Sequence, residues 1–237
     1  MEVNWFVSAR KKKLEDGWMS LSPTGVSDFI DCNLCGVRKF NGVQLPRIKY
    51  PSVPNGMDRV LKDLSNLYRL RGLPPELWRH ELPGRRLYPD PPKKLSWRWE
   101  EERVIVTGEP DEWITEPDGT LSVIDFKTRG FPVKEVYPSY KLQADFYGLL
   151  SERVGGFPPL SGRGYLVYFY PELQETQCAW HVEVEELDIN PKRARDFIKR
   201  VAPIIRGPVP APTPGCETCE YLERENAWRS GGLRTMR

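Results

Sequence analysis

The sequence predicts an α/β protein built around a mixed central β-sheet flanked by helices, and three observations lead there. From about residue 97 the pattern changes from helical spacing to short β-rich runs, "EERVIVTG", "EWITE" and "LSVIDFKT". A helical stretch follows at roughly 139–153, then the strand-like runs "GYLVYFY" and "AWHVEVEEL", then a last helix. Apolar residues make up 39% of the 237 positions, with 8 Trp, 10 Tyr and 9 Phe, which supplies a core and excludes a disordered chain.

Each element has a local cause. In "SLSPTGVSDFIDC" Ser22 is the expected N-cap and Pro23 the first helical residue, where its missing N–H costs nothing; this helix is expected to carry Cys32 at its end. The connector "LPRIKYPSVP" leads to "NGMDRVLKDLSNLYRLRG", where Met57, Val60, Leu61, Leu64, Leu67 and Tyr68 recur at helical spacing until Gly72 stops them. Residues 73–95, rich in Pro, Arg and Lys, are expected to be irregular. Pro117, Asp118 and Gly119 supply turn chemistry for a hairpin between "EWITE" and "LSVIDFKT". Asn190 and Pro191 open the last long helix, and "PVPAPTPG" reads as a stiff linker. No internal repeat is present.

The net charge of +2 neither requires nor excludes a polyanionic partner, and the basic stretches "SARKKK" and "RRLYPDPPKKLSWRW" read first as solvated surface. No run approaches the roughly 18 apolar residues of a membrane span, and the N-terminus lacks the apolar core of a secretory signal. A cytoplasmic protein with no membrane partner is the expectation.

Four of the five cysteines form two CxxC pairs, Cys32/Cys35 and Cys216/Cys219, at opposite ends of the chain. In a reducing compartment such pairs point to a shared metal rather than to disulfides, and by spacing they suit zinc or an iron–sulfur cluster. Sharing would staple the two ends of the chain together. Cys178 reads as an ordinary packed thiol.

The stretch 108–128 carries the other chemistry. Asp111 near the start of one strand and Asp125 near the end of its partner come to one end of the hairpin, where two carboxylates repel unless a divalent cation lies between them. Lys127, two residues after Asp125, shares its strand face. An ammonium beside a hard metal site suits phosphodiester hydrolysis. On the following helix Tyr140, Gln143 and Tyr147 form one stripe, free to orient Lys127 and a phosphate, while Leu142, Phe146, Leu149 and Leu150 form the core stripe.

With these residues in place the chain resembles the PD-(D/E)xK nuclease superfamily, in particular its RecB-like branch, which includes CRISPR-associated exonucleases. The resemblance rests on Gly108 to Asp111, Asp125 to Lys127 and Gln143 to Tyr147, in that order, and covers about residues 20–222. It implies a restriction-endonuclease-like core at 55–207, after a basic segment at 1–19 and an N-terminal helix with the first cysteine pair at 20–54, and before a linker and second pair at 208–237. It implies a metal-dependent nuclease acting on DNA, single-stranded or at duplex ends, in repair, recombination or CRISPR-type processing, with protein partners open. Asp111 and Asp125 would bind magnesium or manganese, joined by the Phe126 carbonyl, and Lys127 would be catalytic. The branch often has a metal-ligating His on an upstream helix; here Asp58 takes that place, its alternative being a charge favoured by the helix N-terminus. Cluster-bearing relatives usually place one Cys before the core and three after it, against two and two here. The resemblance implies a 4Fe–4S cluster, whereas spacing alone favours zinc; the cluster is the expectation, with zinc as its alternative. The competing class is a nuclease-like module that binds nucleic acid or a partner without cutting.

Overall fold

A computed structural model of the protein describes residues 17–43, 52–132 and 135–230; the "SARKKK" segment and much of the "LPRIKYPSVP" connector lie outside them. Two sheets carry the expected mixed pairing. The smaller has strands β1 (Met19–Leu21), β3 (Leu95–Trp99) and β4 (Val104–Gly108) in the order β1-β4-β3, with β1 parallel and β3 antiparallel to β4. The larger has β2 (Arg86–Leu87), β5 (Glu112–Thr115), β6 (Leu121–Thr128), β7 (Leu160–Gln174) and β8 (Gln177–Asp188) in the order β2-β5-β6-β7-β8. Only β6 and β7 in that sheet pair in parallel, because helix α5 (Pro138–Val154) carries the chain back between them.

The turn chemistry at 116–120 works as its residues suggest: Glu116 C=O accepts from Gly119 N–H at 2.9 Å, and Gly119 takes φ 87°. Period-two alternation then sorts β6 between two cores. Leu121 and Val123 face the cluster built with α5 and helix α6 (Pro191–Arg206), while Ile124 and Phe126 face a second cluster with Leu61 and Trp78 from helices α3 (Ser52–Arg69) and α4 (Glu76–Arg79). Asp125 and Lys127 continue the α5 face.

Several sequence expectations change. The first helix, α1 (Pro23–Val26), is capped by Ser22 Oγ accepting from Gly25 N–H at 3.2 Å, but it stops after one turn. A 3-10 turn at 27–30 follows, and Cys32 is instead the N-cap of α2 (Asn33–Phe40). Helix α3 begins at Ser52, and of its apolar stripe Leu61 is buried while Val60 and Leu67 are exposed. The 73–95 stretch holds α4 and β2 rather than being irregular throughout. Strands β7 and β8 extend beyond the apolar runs into a long antiparallel arm, whose polar end leaves Cys178 exposed rather than packed. Helix α6 has its Asn190 cap as expected, Oδ1 accepting from Lys192 N–H at 3.0 Å.

Where the chain passes from β4 to β5, Gly108 lies against α5: a Cβ there would stand 2.7 Å from Leu150 Cδ1 and 3.1 Å from the Tyr147 ring. Gly108→Ala must push α5 away from the crossing. It should destabilise the protein by about 1–3 kcal/mol in chemical denaturation, as overpacking does.

Candidate active site and cysteine centre

The crossing between the sheets is pinned at both ends. Tyr147 O–H donates to Glu109 C=O at 3.1 Å, and Asp111 Oδ2 accepts from Phe126 N–H at 2.8 Å. The β5–β6 ladder ends at Glu112 and Ile124, so from Asp125 onward that edge of β6 is open and the Asp111 carboxylate takes the place of a strand. A strand residue's N–H and C=O lie on the same edge, so the Phe126 carbonyl also faces this opening. Glu112, next to Asp111, is buried and pairs with Arg69 of α3 at 2.7 Å, while Arg69 also donates to Tyr88 C=O at 2.6 Å. That pair fixes α3 against the site.

Asp125 is only 6% exposed. Burial pushes its carboxyl up to about 6, Lys127 pulls against that, and the Asp111 charge adds to the rise. Its partners converge from two elements: the Lys127 ammonium pairs with Oδ2, and Gln143 Nε2 donates to Oδ1 at 3.0 Å. Gln143 closes the circuit, since its Oε1 accepts from Lys127 Nζ at 3.1 Å and its Nε2 also donates to the Tyr147 hydroxyl at 2.7 Å. Lys127 Nζ lies 4.5 Å from the Tyr140 ring centroid. Burial raises the Tyr147 hydroxyl well above the ordinary phenol range, with the Asp125 charge adding to it, so it stays protonated. A cleft of about 260 Å³ borders Gln143 and Tyr147, with Ser22, Thr24, Lys94, Thr107 and Glu109 on its other walls.

The structure thus brings Asp111, Asp125, Lys127, Gln143 and Tyr147 into one hydrogen-bonded group with the Phe126 backbone. Asp58 joins through a residue that the motifs do not identify: Lys62 Nζ lies 2.8 Å from Asp111 Oδ1 and 3.2 Å from Asp58 Oδ1. Burial works against the Lys62 charge, but the bonds to Asp111 and Asp58 outweigh it and raise its pKa. The i, i+4 spacing of Asp58 and Lys62 is the sequence signal for this bridge. Because α3 starts at Ser52, Asp58 lies beyond its first turn, which removes the helix-terminus reading of that charge. His80 pairs with Glu81, and His181 packs its tilted ring against Tyr170 and pairs with Glu172; neither is seen against Asp58, Asp111 or Asp125.

The donor set fits a hard divalent cation. Its match is one of chemistry: Asp58, Asp111, Asp125 and the Phe126 carbonyl offer hard oxygen donors, with Lys62 standing between Asp58 and Asp111, whereas among the described residues only the four cysteines lie close enough together to hold a metal ion.

At the cysteine centre the four Sγ atoms lie within 4.8 Å of one another, a grouping able to hold a metal ion. Both CxxC pairs open helices: Cys216 is the N-cap of α7 (Glu217–Arg229), as Cys32 is of α2, and Cys35 and Cys219 sit in the first turns. Helix N-termini favour thiolates. Cys32–Cys219, Cys35–Cys216 and Cys35–Cys219 are 3.7, 3.6 and 3.5 Å apart, and Arg38 Nη1 donates to Cys219 Sγ at 3.5 Å. Burial raises the Cys32 thiol, but backbone bonds at Thr213 and Cys35 bring it down to about 6; burial raises Cys35, with the neighbouring thiols adding to it, and burial raises Cys219 against the opposing pull of its bond with Cys35. Thiolates at such distances repel one another unless a cation lies among them.

Fold and site together define an α/β protein with a buried acid–lysine pair at the end of the central strand of a mixed sheet. The family model of the PD-(D/E)XK nuclease superfamily matches residues 57–224, and the chain belongs to that superfamily. Membership implies a nucleic-acid substrate and divalent metal. No curated protein matches the chain. A solved structure titled "Crystal structure of SSO0001" is similar to it with 14% identity and a TM-score of 0.40, over 79% of this chain and 75% of that one. Among the described residues no helix is long and apolar enough to cross a membrane.

Asp125 gives the metal-free protein a pH signature. Its folded pKa of about 6 stands above the unfolded value of about 3.9, so its favourable contribution is complete below pH ~4 and is lost as pH rises through ~6. Chelator-treated wild type should lose stability across that window in denaturant titrations, and Asp125→Asn should remove that part of the slope.

Proposed function

We propose that this protein is a divalent-metal-dependent nuclease hydrolysing DNA phosphodiester bonds, of the RecB-like branch, serving repair, recombination or CRISPR-type DNA processing. The observation that carries the reading is the Asp125–Gln143–Lys127 circuit, which holds an ammonium against a buried carboxylate beside a cleft. Asp111, Asp125 and the Phe126 carbonyl, with Asp58 once Lys62 gives way, would hold magnesium or manganese, which when bound lowers the pKa of water and neutralises phosphoryl charge. Lys127 places fixed positive charge where a phosphate arrives, and the Tyr140 ring and Gln143 Oε1 hold it there. Gln143 ties ammonium to carboxylate so that the two stay in register. Tyr147, protonated and bonded to Gln143 and Glu109, positions Gln143 rather than moving a proton. A module that only binds nucleic acid has no use for buried carboxylates beside a polyanion.

End-labelled single-stranded and duplex DNA should be cut with manganese and left intact with chelator, and Asp125→Ala and Lys127→Ala should each lower the rate by at least about 100-fold. Cleavage surviving both substitutions sinks the assignment.

For the cysteines we propose one structural zinc ion. Zinc–thiolate bonds of about 2.3 Å in a tetrahedron set the sulfurs about 3.8 Å apart, and the Cys32–Cys219, Cys35–Cys216 and Cys35–Cys219 separations of 3.7, 3.6 and 3.5 Å, with all four sulfurs within 4.8 Å of one another, support that scale. A 4Fe–4S cluster gives each thiolate its own iron and spreads the sulfurs wider. The purified protein should be colourless with one zinc per chain; Cys216→Ser should lose metal and stability together, and Cys178→Ser neither. A brown protein absorbing near ~400 nm would restore the cluster.

A further inference from the structure

The segment joining β6 to α5 leaves the strand just after Lys127 and carries a run of rings and cations out to solvent. Lys127 lies on the Tyr140 ring, and Tyr140 meets Tyr137 edge-on with ring centroids 5.4 Å apart. The Arg129 guanidinium stands 4.9 Å from the Tyr137 centroid and 5.4 Å from that of Phe131, and its Nη2 donates to the Tyr137 hydroxyl at 2.9 Å. The run has a rigid base, because Arg129 N–H donates to Phe169 C=O at 2.9 Å and extends the β6–β7 ladder by one residue.

Core packing does not explain the outer rings. Phe131 is 58% and Tyr137 42% exposed, and neither belongs to an apolar cluster. Arg129 packs its guanidinium against these rings, with Nη1 buried among them, and among the described residues no carboxylate pairs with it, so its charge is uncompensated. Two open rings flanking a guanidinium that no carboxylate neutralises, one strand end from Lys127, match an unpaired nucleotide. Its base offers a π-face to a ring and its phosphate an acceptor to arginine. A base inside a duplex has both faces already stacked on neighbours.

We propose that Arg129, Phe131 and Tyr137 form a subsite for unpaired nucleotides next to the scissile phosphate, with bases stacking on the two rings and a phosphate held by Arg129. The inference rests on the nuclease reading for what happens beside it, and it deepens that reading by assigning single-stranded segments as the preferred substrate.

The test is binding in the presence of chelator, so that nothing is cut: fluorescence anisotropy with labelled oligo-dT, oligo-rU and a blunt DNA duplex. Phe131→Ala and Tyr137→Ala should each weaken oligo-dT binding by about 5- to 150-fold, the stacking contribution of one base, while duplex affinity stays within about twofold. Tyr137→Phe keeps the ring and should retain most of the affinity. Arg129→Gln should flatten the dependence of log affinity on log salt by about 0.7, one phosphate contact on a single strand. Tighter binding of oligo-dT than oligo-rU supports DNA as the source of the strand, and the reverse supports RNA. The subsite is overturned if the alanine variants bind oligo-dT within about twofold of wild type, if duplex affinity falls in parallel, or if wild type binds oligo-dT no better than duplex. These outcomes separate from the nuclease reading: ring-dependent binding without manganese-dependent cleavage keeps the subsite and removes the nuclease, and cleavage with unaffected variants does the opposite.

Discussion

The burial of the Asp125 carboxylate at the end of a core strand is the constraint on which the rest of the site depends. A charge taken out of water costs several kcal/mol unless it is paired and hydrogen-bonded. Here Lys127 comes from the same strand face and Gln143 from α5, so charge compensation holds strand and helix in one relative position. Gly108 lets α5 come close enough for that to happen, and Tyr147 returns the hydrogen-bond chain to the backbone of the crossing segment. Packing and chemistry are therefore the same set of contacts.

A second carboxylate makes the arrangement tense. Asp111 substitutes for a missing strand by accepting from Phe126 N–H, and its charge raises Asp125 further. Lys62 answers from α3, itself held by the Arg69–Glu112 pair. Three elements with separate packing reasons are thus drawn to one patch by electrostatics. A divalent ion and Lys62 offer the same carboxylates the same thing, positive charge, so the lysine stands as a tethered counter-ion that the proposed metal binding would have to displace.

The cysteine centre works on a different scale. It joins α2 near one end of the chain to α7 near the other, closing a loop that contains β2 to β8, and a metal bound there would contribute its binding free energy to folding. Four thiolates leave no open position on such an ion, so its part would be to hold α2 and α7 together, whereas the carboxylates of the other site offer hard oxygen donors suited to a different ion.

Local chemistry was legible in the sequence. The Ser22 and Asn190 caps, the 117–119 turn, the two cysteine pairs, and the motif residues from Gly108 to Tyr147 all depend on neighbours a few positions away or on period-two alternation. What the sequence did not disclose depends on contacts between distant segments. Lys62 carries no motif, and its meaning appears only when α3 packs beside Asp111. The break between α1 and α2, with both CxxC pairs at helix starts, follows from the sulfurs having to converge. The division into two sheets and the reach of the β7–β8 arm depend on backbone ladders that hydrophobic pattern does not encode, because polar strands pair as well as apolar ones. By itself, then, the sequence determined which groups could do chemistry and on which elements; the tertiary structure decided which of them face one another, because charge compensation and metal-ligand distances are properties of space rather than of order along the chain.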